Sequence, residues 1–160
     1  EIAETKLPNY VKGANLKGRN LNNADMYGAF LVRADMRNTD LKNANLAQTK
    51  LQADLRYANL SKANLQEAIL DYARLQEANF EEADLNRASL KYAKLKNANL
   101  KDANLQDANL EGANLKGVKN LTIVQLSEVI TLYSAQLDQP ILDQITDSYG
   151  HLLNKIKEKK

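Results

Sequence analysis

Small residues and leucines recur every five positions from Ala14 to Leu115, as in Ala98-Asn-Leu, Ala103-Asn-Leu, Ala108-Asn-Leu and Ala113-Asn-Leu. Such a period marks a repeat array. An α-helix advances about 100° per residue, so leucines five apart would wander around the cylinder and leave no buried stripe. A continuous strand fails as well, because an odd spacing sends successive leucines to opposite faces. A chain that turns one corner per repeat satisfies the pattern. The small residue and the leucine two places later then both point inward, and the other three residues point outward.

The inward leucine position runs through Leu16, Leu21, Met26, Leu31, Met36, Leu41, Leu46 and Leu51, and resumes at Leu55, Leu60 and onward to Leu115, with Phe80 as its one aromatic member. Between Leu51 and Leu55 the step is four residues, which predicts a tightened or displaced corner around Gln52. Irregularity of this kind can re-aim side chains toward a site; simple slippage in the array is the alternative. At the small position Thr39 and Thr49 replace alanine conservatively, whereas Arg19 does not. An arginine cannot be buried unpaired, so the first coil is expected to be irregular or covered by the residues ahead of it, where Leu7 and Tyr10 could cover it and Val11 falls at the inward phase.

Ala53-Asp-Leu-Arg-Tyr, Ala58-Asn-Leu-Ser-Lys and Ala63-Asn-Leu-Gln-Glu resemble the pentapeptide-repeat family, whose consensus is Ala, Asp or Asn, Leu or Phe, and two variable residues. The resemblance implies an all-β solenoid: a right-handed quadrilateral β-helix with twenty residues per coil and about five coils. It divides the chain into an N-terminal cap or leader at 1–13, a repeat column at 14–121 with a register break at 51–55, and a C-terminal helical cap with a basic tail at 122–160.

Both ends of a stacked column need covering, because each coil touches mainly its neighbours. Thr122 followed by Gln125 reads as a capping box, and Ile123, Leu126, Val129, Ile130 and Leu132 or Tyr133 form a helical apolar face. Asp138 ahead of Gln139-Pro140 signals a second start. Ile141, Ile145, Tyr149, Leu152 and Ile156 then predict one helix of nearly twenty residues, which Gly150 can break. Together these make a C-terminal pair of capping α-helices. Leu142 and Leu153 are left over on that pair and suggest a homodimer contact. Lys155, Lys157, Lys159 and Lys160 suit a helix end electrostatically and are expected to form a solvated tail, with contact to an anionic surface as the alternative.

With twenty residues per coil, side chains twenty apart stack. Lys17, Arg37, Arg56, Lys96 and Lys116, with Gln76 as a neutral rung and Arg74 and Lys94 alongside, make a candidate anion-contact strip that Asp35, Asp54 and Glu77 offset. A second side displays Phe30, Val32, Ile69, Tyr72 and Tyr92 where polar residues would suffice, with Tyr72 and Tyr92 expected to stack. Clustered exposed aromatics favour recognition, which makes this the candidate protein-contact face. The opposite side is mildly acidic through Asp25, Glu67, Asp84 and Asp107, interrupted by Arg87.

Enzymatic function is not expected. The chain has no cysteine and a single histidine, His151, beside Leu152 and Leu153 in the C-terminal segment. It carries no glycine-rich phosphate loop and no histidine-containing metal motif, so neither cofactor nor metal is implied. Asp and Asn interchange freely before the leucine, which points to backbone hydrogen bonding and away from paired catalytic acids. The 22 basic residues against 20 acidic ones argue against strong nucleic-acid binding. The expected function is a non-enzymatic scaffold or protein-interaction module with an unidentified protein partner. The alternative comes from the family resemblance, which includes DNA-mimicking members that act on DNA gyrase and other type II topoisomerases; that mechanism calls for a strongly acidic rod, from which this near-neutral chain departs. No stretch is apolar enough to span a membrane. The opening residues are either an experimental boundary or a mature start from which a targeting peptide was removed, leaving the cytoplasm, periplasm or thylakoid lumen open.

Overall fold

The computed structural model describes residues 12–155. The expectations placed on Leu7, Tyr10, Val11, Ile156, Lys157, Lys159 and Lys160 lie outside them.

Each repeat is a corner. In the first, Arg19 N–H donates to the Leu16 carbonyl at 3.0 Å and Gly18, the third residue of the turn, has φ +66°. A carbonyl bonded three residues on, with positive φ at the third position only, defines a type II turn. The same bond closes Leu21 to Ala24, Leu60 to Ala63 and Leu90 to Ala93. Most of these left-handed positions are not glycine: they include Tyr57, Lys62, Glu67, Tyr72, Glu77, Arg87 and Tyr92. Side chains there are strained, by about 1–2 kcal/mol each, and the stack holds them in place.

Coils are joined by backbone hydrogen bonds. Leu60 N–H donates to the Asn79 carbonyl at 2.7 Å, Lys62 N–H to Glu81 at 2.9 Å, and Asn79 N–H returns to Ala58 at 2.9 Å. Four ladders of parallel bridges result, one of which runs Asn20, Asp40, Asn59, Asn79, Asn99 and Lys119.

These bridges correct the all-β expectation. Among the described residues there is no β-strand and no sheet, so the chain is not the right-handed quadrilateral β-helix that the resemblance implied; every bridge is isolated, and the regular elements are two α-helices and one 3-10 turn near the C-terminus. The reason lies in the turn itself. A corner occupies Leu16 to Arg19 and the next begins at Leu21, so Asn20 alone stands outside a turn. A strand needs consecutive ladder residues, and a five-residue period leaves one.

Inside the column the leucines and alanines are fully buried, with Phe80 and Met36 among the largest side chains enclosed. Thr39 and Thr49 are buried too, and their hydroxyls donate to the Leu16 and Leu46 carbonyls at 3.0 and 2.7 Å. Arg19 is exposed, and Ala14 and Leu16 beside it are half-buried, so the first described coil is open where the later ones are closed.

At the short step Ala53 N–H donates to the Leu51 carbonyl at 2.8 Å. This two-residue closure around Gln52 is a γ-turn in place of the type II turn. Neither Gln52 nor Ala53 has positive φ: the residue missing from the repeat is the left-handed one. Bridges spanning the step, such as Asp35 to Asp54 and Lys50 to Ile69, shorten to nineteen residues, and twenty returns at Asp54 to Arg74.

The two C-terminal helices begin where the sequence marked their starts, but both are shorter than expected. Helix α1 (Ile123–Ser127) is only five residues long, and its capping box of Thr122 and Gln125 is formed. Gln125 Nε2 donates onward to the Leu100 and Ala103 carbonyls at 2.8 and 2.9 Å, tying α1 to the last coils. The apolar run after it rejoins the column, because Thr131 bridges Asn109 and Gln136 bridges Asn114. Helix α2 (Gln139–Tyr149) gives way to a 3-10 turn (Gly150–Leu153). Leu132 N–H donates to the Leu152 carbonyl at 2.7 Å, and Leu142 and Leu153 pack against the core.

Candidate interaction surface

The outward residue before each leucine explains the Asp and Asn preference. Its Oδ1 accepts the N–H two residues on, as from Ser61 to Asn59 at 3.2 Å and from Asn86 to Asp84 at 3.1 Å. Asparagine amides then link the coils: Asn59 donates to Asp40 at 2.9 Å, Asn79 to Asn59 at 3.4 Å, Asn99 to Asn79 at 2.9 Å and Asn120 to Asn99 at 2.7 Å. A second such ladder joins Asp25, Asn45 and Asn64. These sides are occupied by their own hydrogen bonds.

The three arginines of the basic strip are paired within the chain. Arg37 grips Asp35 with two bonds of 2.8 and 2.7 Å, and Arg56 grips Asp54 with the same geometry. Arg74 lies 3.5 Å from Asp54. The Arg37 guanidinium lowers the Asp35 pKa to about 2, and Arg56 lowers that of Asp54. Lys17, Lys96 and Lys116 extend the strip, and Arg74 bridges Lys94 through the backbone. On the acidic side Arg87 sits between Glu67, 4.0 Å away, and Asp107, 3.8 Å away.

The aromatic residues divide into two groups. Phe30 stands on the ladder Phe30, Lys50, Ile69 and Ser89. The Lys50 ammonium lies 4.6 Å from the centre of its ring, a cation–π contact that separates Phe30 from Ile69. Val32 is half-buried at the neighbouring corner. Tyr72 and Tyr92 occupy the left-handed position of that same corner one coil apart. Their rings stack with centroids 5.2 Å apart and planes 11° from parallel, and they remain 67% and 43% exposed.

Sequence reasoning missed what seats this pair. Gly112 is the next residue of the column, and the Tyr92 ring fills the space its Cβ would need. Tyr92 Oη donates to Glu111 at 3.3 Å; the Glu111 carboxylate, with partial burial, raises the tyrosine pKa. The signal was present in the step of twenty from Tyr72 to Tyr92 to Gly112. Asp71 was missed as well. Its carboxylate accepts the Ser89 hydroxyl at 2.5 Å and the Lys91 N–H at 3.1 Å, doing for that corner what Asn does elsewhere.

Among the described residues no group of three or more His, Cys, Asp or Glu could hold a metal ion, and no helix is long and apolar enough to cross a membrane.

The chain matches the family model for pentapeptide repeats in eight copies, over residues 12–48, 52–87 and 83–119, and the gap at 49–51 runs up to the γ-turn corner. No curated protein matches it in sequence. Among solved structures it is similar to two trypsin-treated forms of QnrB1, a plasmid-mediated fluoroquinolone resistance protein. One is 20% identical, covering 87% of this chain and 74% of that one with a TM-score of 0.70; the other is 21% identical, covering 88% and 68% with a TM-score of 0.75. It is also similar to the pentapeptide repeat protein Rfr23 of the cyanobacterium Cyanothece 51142, at 34% identity over 83% of this chain and 90% of that one, with a TM-score of 0.42. The repeats and the family match together show that this chain belongs to the pentapeptide-repeat family.

Proposed function

We propose that the chain binds a protein partner through the corner that carries Tyr72 and Tyr92. The observation behind this reading is the stacked, outward-facing pair itself. Two rings already fixed against each other and against the column lose little freedom on binding, so contact area translates efficiently into affinity. Phe30 and Val32 lie toward the preceding coils, Ile69 stands in the coil of Tyr72, and together they extend the surface. The basic strip is the weaker candidate, because Arg37 and Arg56 already hold carboxylates.

A second reading is favoured by the likeness in fold to QnrB1, whose name ties it to fluoroquinolone resistance. In this reading the chain modulates or protects DNA gyrase or a related type II topoisomerase. Its formal net charge of +2 differs from the acidic rod that a DNA mimic requires, so contact would run through the tyrosine corner rather than by imitation of phosphate.

Affinity capture from the native source, with Tyr72 and Tyr92 changed to serine in a matched bait, tests the first reading. Selective loss of a bound protein is expected, and equal recovery of every protein overturns it. Gyrase supercoiling measured with and without the chain, in the presence of a fluoroquinolone, tests the second: protection that vanishes in the serine bait supports it, and no change in activity removes it.

A further inference from the structure

The corner column above the tyrosines has a vacancy. Its left-handed residues run Arg33, then none at the γ-turn, then Tyr72, Tyr92 and Gly112. Each donates its N–H to the next coil: Arg33 to the Gln52 carbonyl at 2.9 Å, and Tyr72 to Lys91, Tyr92 to Glu111 and Gly112 to Tyr133, each at 2.8 Å. The deleted residue would have donated to Asp71. From Val32 to Lys116, every other carbonyl at this turn position receives a coil-to-coil N–H, and among the described residues the Asp71 carbonyl receives none. The same deletion removes the left-handed side chain one coil before Tyr72, whose ring stacks on Tyr92 and is 67% exposed. Arg33 and Tyr72 are two coils apart along this column, about 10 Å at the usual strand spacing, and the coil between them contributes Gln52 but no left-handed side chain at this corner.

We infer that this notch is a binding site for a protein segment that carries an aromatic residue beside an acidic one. The aromatic residue takes the place of the missing corner residue. Its backbone N–H donates to the Asp71 carbonyl, its ring lies on the free face of Tyr72, and the neighbouring carboxylate meets Arg33. The charge around the notch suits that partner: Arg33 is exposed with no ion pair among the described residues, and the Asp71 carboxylate already accepts from the Ser89 hydroxyl and the Lys91 backbone N–H. An arginine-bearing segment could offer a planar donor but would face Arg33.

This inference rests on the tyrosine corner being the contact surface, and its test is separate. The probe is N-acetyl-Asp-Trp-Asp amide, titrated into the 15N-labelled full chain and followed by amide shifts, with N-acetyl-Asp-Ala-Asp amide as control. Saturable shifts are expected at Arg33, Asp71 and Tyr72, at least tenfold weaker in affinity for the alanine peptide. A glycine inserted between Gln52 and Ala53 restores the five-residue corner and supplies the missing N–H; it should weaken binding of the tryptophan peptide at least tenfold while leaving both tyrosines in place. Absence of saturable shifts at these residues, or equal binding by the insertion variant, overturns the notch. If the insertion variant does not melt cooperatively, Arg33→Glu and Tyr72→Ser take its place: each should weaken binding at least fivefold, and unchanged binding by either overturns it. Peptide binding that persists while capture is indifferent to the tyrosines would remove the proposed function alone.

Discussion

The Tyr92 ring lies over the α-carbon of Gly112, one coil along, and fills the space a side chain there would need. Gly112 also has φ +65°, so two independent constraints fall on one residue. Gly112→Ala is expected to force the ring off its seat and to destabilise the chain by about 2 kcal/mol. Urea unfolding measures the loss, and near-ultraviolet circular dichroism should show the tyrosine stack disturbed.

The opposite substitution should help elsewhere. Glu77 is left-handed and exposed, and only its backbone N–H is engaged, with Lys96. Glu77→Gly relieves the strain while adding freedom to the unfolded chain, for a net gain of about 0.5–1 kcal/mol. A lower urea midpoint than the parent would contradict the assignment of strain.

Phe80 is fully enclosed in a column otherwise filled by leucine and methionine. Phe80→Ala should cost about 3–5 kcal/mol through lost burial and the cavity left behind, whereas Phe80→Leu should cost about 1.5 kcal/mol or less, since leucine fills this position in the adjoining coils. Equal effects in chemical denaturation would show that the coils are not packed at that depth.

Acid stability should carry the signature of Asp35. Its pKa in the folded chain is lowered by Arg37 from 3.8 to about 2. A group so depressed stabilises the fold fully above its unfolded value, near 4, and loses that contribution as pH falls toward 2. Asp54 shifts in the same direction through Arg56. Comparing urea midpoints of the parent and Asp35→Asn from pH 6 to pH 2 should show a gap that closes across this window and narrows in high salt. A gap independent of pH would contradict the ion pair.

Gln125 joins α1 to the column, closing its capping box through Oε1 and holding two coil carbonyls through Nε2. Gln125→Ala leaves those carbonyls without their donor and should cost about 1–3 kcal/mol. Amide hydrogen exchange should then accelerate first in residues 100–110 and 123–137.

Much of the architecture was legible because the rule relating residue to environment is local. Which positions turn inward, that Thr39 and Thr49 could join them and Arg19 could not, and that Gln52 marks an abnormal corner all follow from a five-residue count. The helices were less legible. The apolar residues from Ile123 to Tyr133 satisfy a helical period, yet the chain leaves the helix at Ser127 because Thr131 and Gln136 gain partners on the preceding coil. Strands were expected by resemblance, and the turn chemistry leaves no room for them. At the surface, the spacing of Tyr72 and Tyr92 was readable, whereas the Lys50 contact that sets Phe30 apart depends on how a flexible side chain comes to rest.

By itself the sequence determined the period, the buried set and the position of the missing residue, since each is written in the order of small, polar and large residues along one repeat. Only the tertiary structure decided that a single residue per side forms a bridge, that the arginines of the basic strip are held by Asp35 and Asp54, and that, among the described residues, the Asp71 carbonyl receives no N–H from a neighbouring coil. Those outcomes depend on what lies one coil away, about twenty residues along the chain, and a local pattern does not carry that distance.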